Sequence, residues 1–80
     1  MTNEKDERVF LEAQLNWVKQ RDALLEQIEN RLYEMKHIAE QIASDVDSMT
    51  ESEMHQLNER FLILKTEIAE LESRLHIHYN

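Results

Sequence analysis

Histidines and nearby carboxylates are the residues of this 80-residue chain that could carry metal chemistry. Glu34 and His37 have the Glu-x-x-His spacing that places two ligands on one helical face in di-iron bundle proteins. The other inward-facing carboxylates of such a centre are missing, and the heptad frame described below puts both side chains on the solvent face. His76 and His78 could chelate a metal from an extended segment, but on a helix they diverge by about 160°. We therefore predict no metal site, no cofactor and no catalytic residue.

Two histidines also raise the question of phosphotransfer. His37 is followed by Ile-Ala-Glu, and His55 by Gln-Leu-Asn. A dimeric helical hairpin with a histidine resembles the dimerisation and phosphotransfer unit of sensor kinases, in which an acidic residue and usually a proline follow the histidine. Both histidines lack that acidic neighbour and the chain has no proline. The resemblance is therefore architectural, which is a weak basis for function.

The composition excludes several classes of site. The chain contains no glycine, proline or cysteine, which excludes glycine-rich phosphate loops, disulfides and thiolate metal sites. Seventeen acidic residues against nine basic ones give a net charge of −8, so we predict no binding to nucleic acids or anionic membranes. The longest strongly apolar run, residues 61–64, is far shorter than the roughly 20 residues of a membrane span. Since the first eight residues lack an apolar signal segment, the predicted location is the cytoplasm.

Two series of apolar residues at seven-residue spacing predict the helices that carry these groups. In helix 1, predicted over about residues 3–43, the a positions of the heptad run from Leu11 to Val46. In helix 2, predicted over about residues 51–77, they run from Met54 to Leu75. The two series are out of phase, because eight residues rather than seven separate Val46 from Met54.

The phase break predicts a turn at about residues 44–50. The stretch is rich in Ser, Asp and Thr, which are middling or poor helix formers, and Thr50 with Glu53 fits a capping box at the start of helix 2. Without glycine, Asp or Ser side chains must satisfy backbone groups in the turn. The alternative is one continuous helix through this stretch.

A turn there predicts an all-α fold, an antiparallel two-helix coiled-coil hairpin that forms a single domain over residues 1–80. Antiparallel alignment gives six consecutive layers that are apolar on both sides. The predicted layers are Ile42–Met54, Ala39–Leu57, Met35–Phe61, Leu32–Leu64, Ile28–Ile68 and Leu25–Leu71. The same alignment brings Arg31 towards Glu67 and Glu29 towards Lys65.

Residues 1–15 have no partner within the chain in this alignment. Helix 1 is also apolar at the g positions beside the a and d positions, a width that is typical of bundles of three or more helices. A chain this short usually needs a staple or a second chain for stability. We therefore predict a homodimer that forms a four-helix bundle or a longer antiparallel coiled coil. The predicted interface residues are Val9, Phe10, Leu11, Gln14, Leu15, Trp17, Val18, Arg21, Leu24, Leu62 and Ile63.

Gln14 and Arg21 are polar residues within the apolar stripe of helix 1. They either lie partly exposed where the hairpin frays, with the Arg21 stem packed on Leu75 or Trp17, or form a polar layer that fixes the orientation of a dimer.

The predicted function is that of a small acidic, non-enzymatic coiled-coil protein. It would act by homo-oligomerisation and by binding a protein partner, as an adaptor or regulator. The alternatives are a phosphorelay-type hairpin (a phosphotransfer protein or kinase inhibitor), a chaperone-like coiled coil that holds unfolded proteins, and a DNA mimic with paired rows of carboxylates.

Overall fold

The computed structural model describes residues 3–79, without the side chains of residues 77–79. It consists of two helices, α1 (Glu4–Asp45) and α2 (Glu51–Tyr79), which pack against each other as an antiparallel hairpin measuring 71 × 17 × 13 Å. The predicted helical hairpin is confirmed, and each helix ends two residues later than predicted. The alternative of one continuous helix is wrong.

Helix α1 is preceded by Asn3, a residue type that is favoured at the N-cap position. The Asn3 side chain accepts a hydrogen bond from the Asp6 amide at 2.9 Å, which satisfies one of the amides left unpaired at a helix N-terminus. Glu4, Asp6 and Glu7 lie in the first turn, where carboxylates interact favourably with the helix dipole. Helix α1 therefore starts at Glu4 with Asn3 as its N-cap, which agrees with the predicted start at about residue 3.

The chain reverses between the helices without any left-handed residue. Val46 has φ −53° and ψ −38°, and none of the described residues has a positive φ. The Ser48 amide and hydroxyl both donate to the Asp45 carbonyl, at 2.9 and 3.1 Å. A serine side chain therefore supplies a hydrogen bond at the helix end where many proteins use a glycine.

The second helix starts with half of the predicted capping box. The Thr50 hydroxyl accepts from the Glu53 amide at 3.1 Å. Among the described hydrogen bonds, none is donated by the Thr50 amide to the Glu53 carboxylate. Thr50 alone therefore provides the cap.

Removing this cap should destabilise the hairpin. We expect Thr50→Ala to lower the free energy of unfolding by about 1 kcal/mol, the usual cost of losing an N-cap hydroxyl. Thr66→Ala is the matched control, because Thr66 is exposed in mid-helix and only donates back to the Leu62 carbonyl. Urea unfolding at one fixed protein concentration measures both variants. Equal losses would show that the Thr50 hydroxyl does not act as a cap.

The seam between the helices uses a different face of α1 from the one predicted. On α2 the predicted a and d positions face inward, and Leu64, at 1% exposure, is the most buried residue. On α1 the buried residues are Leu24 and Ile38, which occupy g positions. The partly buried apolar residues of α1 in the seam are Trp17, Ile28, Met35 and Ile42. The α1 seam thus consists of d and g positions, so α1 is rotated by about 60° from the predicted a and d seam.

Because α1 is rotated in this way, three of the six predicted layers are wrong. Leu25, Leu32 and Ala39 are exposed and therefore do not fill layers against α2. The lengthwise alignment of the helices agrees with the prediction, since Arg31 reaches Glu67 with a 3.3 Å ion pair as expected. The expected approach of Glu29 to Lys65 gives no ion pair among the described residues.

Unequal helix lengths leave the N-terminal part of α1 without a neighbour. The 42 residues of α1 and the 29 of α2 correspond to about 63 and 44 Å at 1.5 Å per residue. The side chains of residues 3–16 are all exposed. We call this segment the overhang.

Candidate interaction surface

An apolar row runs along α1 on the side that the hairpin does not cover. It consists of Leu11, Val18, Leu25 and Leu32, which are 39–64% exposed. Their seven-residue spacing keeps them on one helical face over a length of about 32 Å. We call these four residues the outward row. Leu15, also exposed, lies on the same face next to Leu11 and Val18.

The outward row follows from the breadth of the apolar stripe. Helix 1 is apolar at the a, d and g positions, whereas one neighbouring helix covers only two adjacent positions. Since α2 covers d and g, the a positions remain exposed. Sequence reasoning assigned Leu25 and Leu32 to the core and therefore missed them as surface residues. The apolar g residues Leu24 and Ile38 were the signal that could have revealed this.

The structure divides the predicted interface residues into two groups. Trp17 and Arg21 are partly buried, and Leu24 is buried in the seam with α2, so Leu24 does not face outward in this conformation. The other eight are exposed: Val9, Phe10, Leu11, Gln14, Leu15, Val18, Leu62 and Ile63. These exposed residues lie on several faces rather than on one.

Leu62 and Ile63, although adjacent in sequence, lie on opposite edges of the hairpin. A shallow groove on one edge is lined by Ala39 and Asn58, and Leu62 follows Asn58 by one helical turn. Ile63 lies between Arg60 and Glu67, the two α2 residues that form ion pairs with α1. Ala39 continues the seven-residue spacing of the outward row, so only Leu62 lies on the same edge as that row.

Arg21 packs on an aromatic ring at the point where the overhang meets the seam. The centre of its guanidinium lies 5.8 Å from the centroid of the Trp17 ring, which is within the range of a cation–π interaction. Of the two contacts expected for the Arg21 stem, Leu75 and Trp17, the structure places the guanidinium of Arg21 over Trp17. Gln14, one turn earlier, is exposed.

A second ion pair, between Glu34 of α1 and Arg60 of α2, also joins the two helices. Glu34 was expected to face solvent. The Arg60 guanidinium donates to both carboxylate oxygens of Glu34, at 2.5 and 3.2 Å. The rotation of α1 turns Glu34 towards α2 and corrects its predicted placement on the solvent face. This hydrogen bond lowers the pKa of the Glu34 carboxyl and raises the pKa of Arg60. The role of Arg60 was not recognised from the sequence.

The pKa of Glu34 should report this contact directly. We expect Arg60→Gln to raise the pKa of Glu34 towards the ordinary glutamate value, as measured by NMR titration of the side-chain carboxyl carbon. Because the pKa is lowered in the folded chain, the pair stabilises the fold at neutral pH. That contribution disappears as the pH falls through the lowered pKa. Arg74→Gln, a change at an exposed residue further along α2, should leave the pKa of Glu34 unchanged. An equal pKa in both variants would contradict the contact.

His37 and His55 lie on the surface, away from any cluster of metal ligands among the described residues. His37 and His55 have side chains that are 75% and 73% exposed, and each lies beside a glutamate of its own helix, Glu40 or Glu59. Within the described residues, no three His, Asp or Glu side chains come together as a metal site. The chelate considered for His76 and His78 involves the side chain of His78, which lies outside the described part of the chain.

The fold and this surface define a small all-α hairpin protein with an uncovered apolar face. Neither helix has a described stretch long and apolar enough to cross a membrane. The chain matches no protein-family model, no curated protein and no solved structure.

Proposed function

We propose that this chain is a non-enzymatic, cytoplasmic interaction protein that associates through the outward row of α1 and acts as an adaptor or regulator. The observation that supports this most directly is the row itself. Four aliphatic side chains are held at least 39% exposed along one face, and contiguous apolar surface of this kind usually marks an interface.

The small core of the hairpin supports association as well. Only five of the described residues are buried hydrophobics: Leu24, Ile38, Leu64, Ile68 and Leu71. A single small core rarely stabilises a chain of this size, and oligomerisation is one of the usual remedies. No disulfide can contribute, because the chain has no cysteine. Covering the outward row would add apolar burial without changing the α1–α2 seam.

Binding of a protein partner is the second half of the proposal. The overhang presents Val9 and Phe10 at 58% and 62% exposure, beyond the end of α2. Exposed apolar side chains of this kind can serve as anchors for a protein partner. In the assembled protein, the overhang is therefore the segment that we assign to partner recognition.

Sedimentation equilibrium tests the proposal, with helicity measured by circular dichroism on the same samples. Between about 1 and 100 μM, the range over which weak and tight dimers separate, we expect a mass above the 9.7 kDa of one chain. A fully helical monomer at every concentration would overturn association. A Phe10→Glu chain should keep the native mass and lose a bound partner. Partners that remain bound to this variant would show that the overhang is not the recognition surface.

A further inference from the structure

We infer that the outward row is covered by the outward row of a second copy of this chain, and that the two α1 helices run antiparallel. This inference rests on the proposed association and adds the identity of the partner and its orientation. A two-fold axis perpendicular to α1 would then relate the two hairpins, as in the commonest class of homo-oligomer.

The charge distribution along α1 supports an antiparallel copy. The first turn, residues 4–7, carries three acids and one base, and residues 8–21 carry three bases (Arg8, Lys19 and Arg21, the last over the Trp17 ring) and one acid (Glu12). Residues 22–47 carry two bases, Arg31 and Lys36, and seven acids, Asp22, Glu26, Glu29, Glu34, Glu40, Asp45 and Asp47. The segment 8–21 is therefore net positive and the segment 22–47 is net negative.

This asymmetry makes α1 complementary to itself in one orientation only. In an antiparallel pair, the basic segment of each copy lies along the acidic segment of the other. In a parallel pair, basic lies on basic and acidic on acidic. Charge complementarity mainly selects orientation and partner, while apolar burial supplies most of the affinity. An acidic chain can therefore bind its own copy through this basic segment of α1.

The outward row itself is compatible with this reversal. Its members are evenly spaced by seven residues, so reversing the row and shifting it by whole heptads again places aliphatic residues opposite each other. The overhang of each copy then lies along the α1 helix of the other. Residues 3–16, which α2 leaves uncovered, gain a neighbour in this way.

Spin labels at single introduced cysteines measure the orientation, because the chain has no cysteine of its own. The labelled variants are N16C, A23C, N30C and H37C, all at exposed positions of α1 and spaced by seven residues on the face turned away from the row. In an antiparallel dimer, the distance between the two labels has a minimum at the axis. Its component along the helix grows by about 3 Å for each residue away from that axis.

The four distances decide between the two orientations. A minimum with longer distances on either side, or a steady change across the series, supports the inference, and the minimum locates the two-fold axis. Equal distances at all four sites would indicate a parallel dimer and overturn the orientation, while the proposed association would stand. Absence of dipolar coupling together with a monomeric mass would overturn both.

Charge reversal provides an independent test of the same arrangement. K19E places an acid in the basic segment, and K36E places one in the acidic segment, while both lower the chain charge by the same amount. Lys36 is exposed and makes only a long ion pair, at 3.9 Å, with Glu40. In an antiparallel dimer we expect K19E to raise the dimer Kd by about two- to fivefold, and K36E to leave it unchanged or lower it.

The signs of these two effects are reversed in a parallel dimer. K19E would then relieve repulsion between two basic segments, and K36E would add repulsion between two acidic ones. A Kd that rises for K36E and falls for K19E, or that is unchanged in both, would overturn the inference. Measuring at low and high salt confirms that the effect is electrostatic, because salt screens exposed charges.

Discussion

Replacing Leu64 by alanine is expected to lower the free energy of unfolding by about 2–5 kcal/mol, the range observed for truncation of buried leucines. Leu64 is the most buried residue described, at 1% exposure, and one of five buried hydrophobics in the hairpin. The side chain lies in mid-seam, where the neighbouring side chains can fill the cavity only in part. Whole domains are stable by only about 5–15 kcal/mol. This one change should therefore remove a large part of the free energy of unfolding of the hairpin.

Ile63→Ala is the matched control for this prediction. It removes the same number of carbon atoms from the same helix, one residue away, at a side chain that is 50% exposed and lies on the edge away from the outward row. We expect a loss within about 0.5 kcal/mol. Urea unfolding followed by circular dichroism, at one fixed protein concentration, measures both variants. A loss in Leu64→Ala no larger than that in Ile63→Ala would show that α2 packs on α1 through another face.

Placing a charge in the outward row is expected to dissociate the proposed dimer. Leu32→Glu should raise the dimer Kd by at least about 100-fold. Each copy loses the burial of one leucine, worth about 1.5–3 kcal/mol, and the two copies together lose more than the roughly 3 kcal/mol to which a 100-fold change corresponds. Sedimentation should then show the 9.7 kDa monomer. The thermal unfolding midpoint should also cease to depend on protein concentration.

Ile63→Glu is the matched control for the row. Leu32 and Ile63 have nearly equal exposure, 52% and 50%, so the two changes place the same charge at similarly exposed aliphatic positions. Ile63 lies on the ion-pair edge of the hairpin, away from the outward row. The control should therefore keep the native mass. If Ile63→Glu separates the chains and Leu32→Glu does not, the interface lies on the opposite edge.

Local sequence determined the helices and their ends. Asn3 and Thr50 are good N-caps because their side-chain oxygens accept from amides within the same turn, an interaction that depends only on nearby residues. The turn after Asp45 also follows from local chemistry, since Ser48 bonds back to a carbonyl three residues away. These features could be predicted because all the atoms involved are neighbours in the chain.

The inward face of α2 was also predictable. Its apolar residues occupy the a and d positions, with few alternatives, so a single stripe is available for burial. Leu64, Ile68 and Leu71 are buried as expected. The lengthwise alignment could be predicted too, because shifting the helices would misplace this stripe and separate Arg31 from Glu67.

The rotation of α1 was decided only by the tertiary structure. Helix 1 is apolar at three heptad positions, and two different pairs of adjacent positions can face one neighbouring helix. Burying d and g rather than a and d also brings Glu34 to Arg60, a contact that heptad counting does not register. Interactions between neighbouring residues specify the two helices, their caps and the turn. Packing between residues distant in the chain decides which apolar row α2 covers and which one remains exposed.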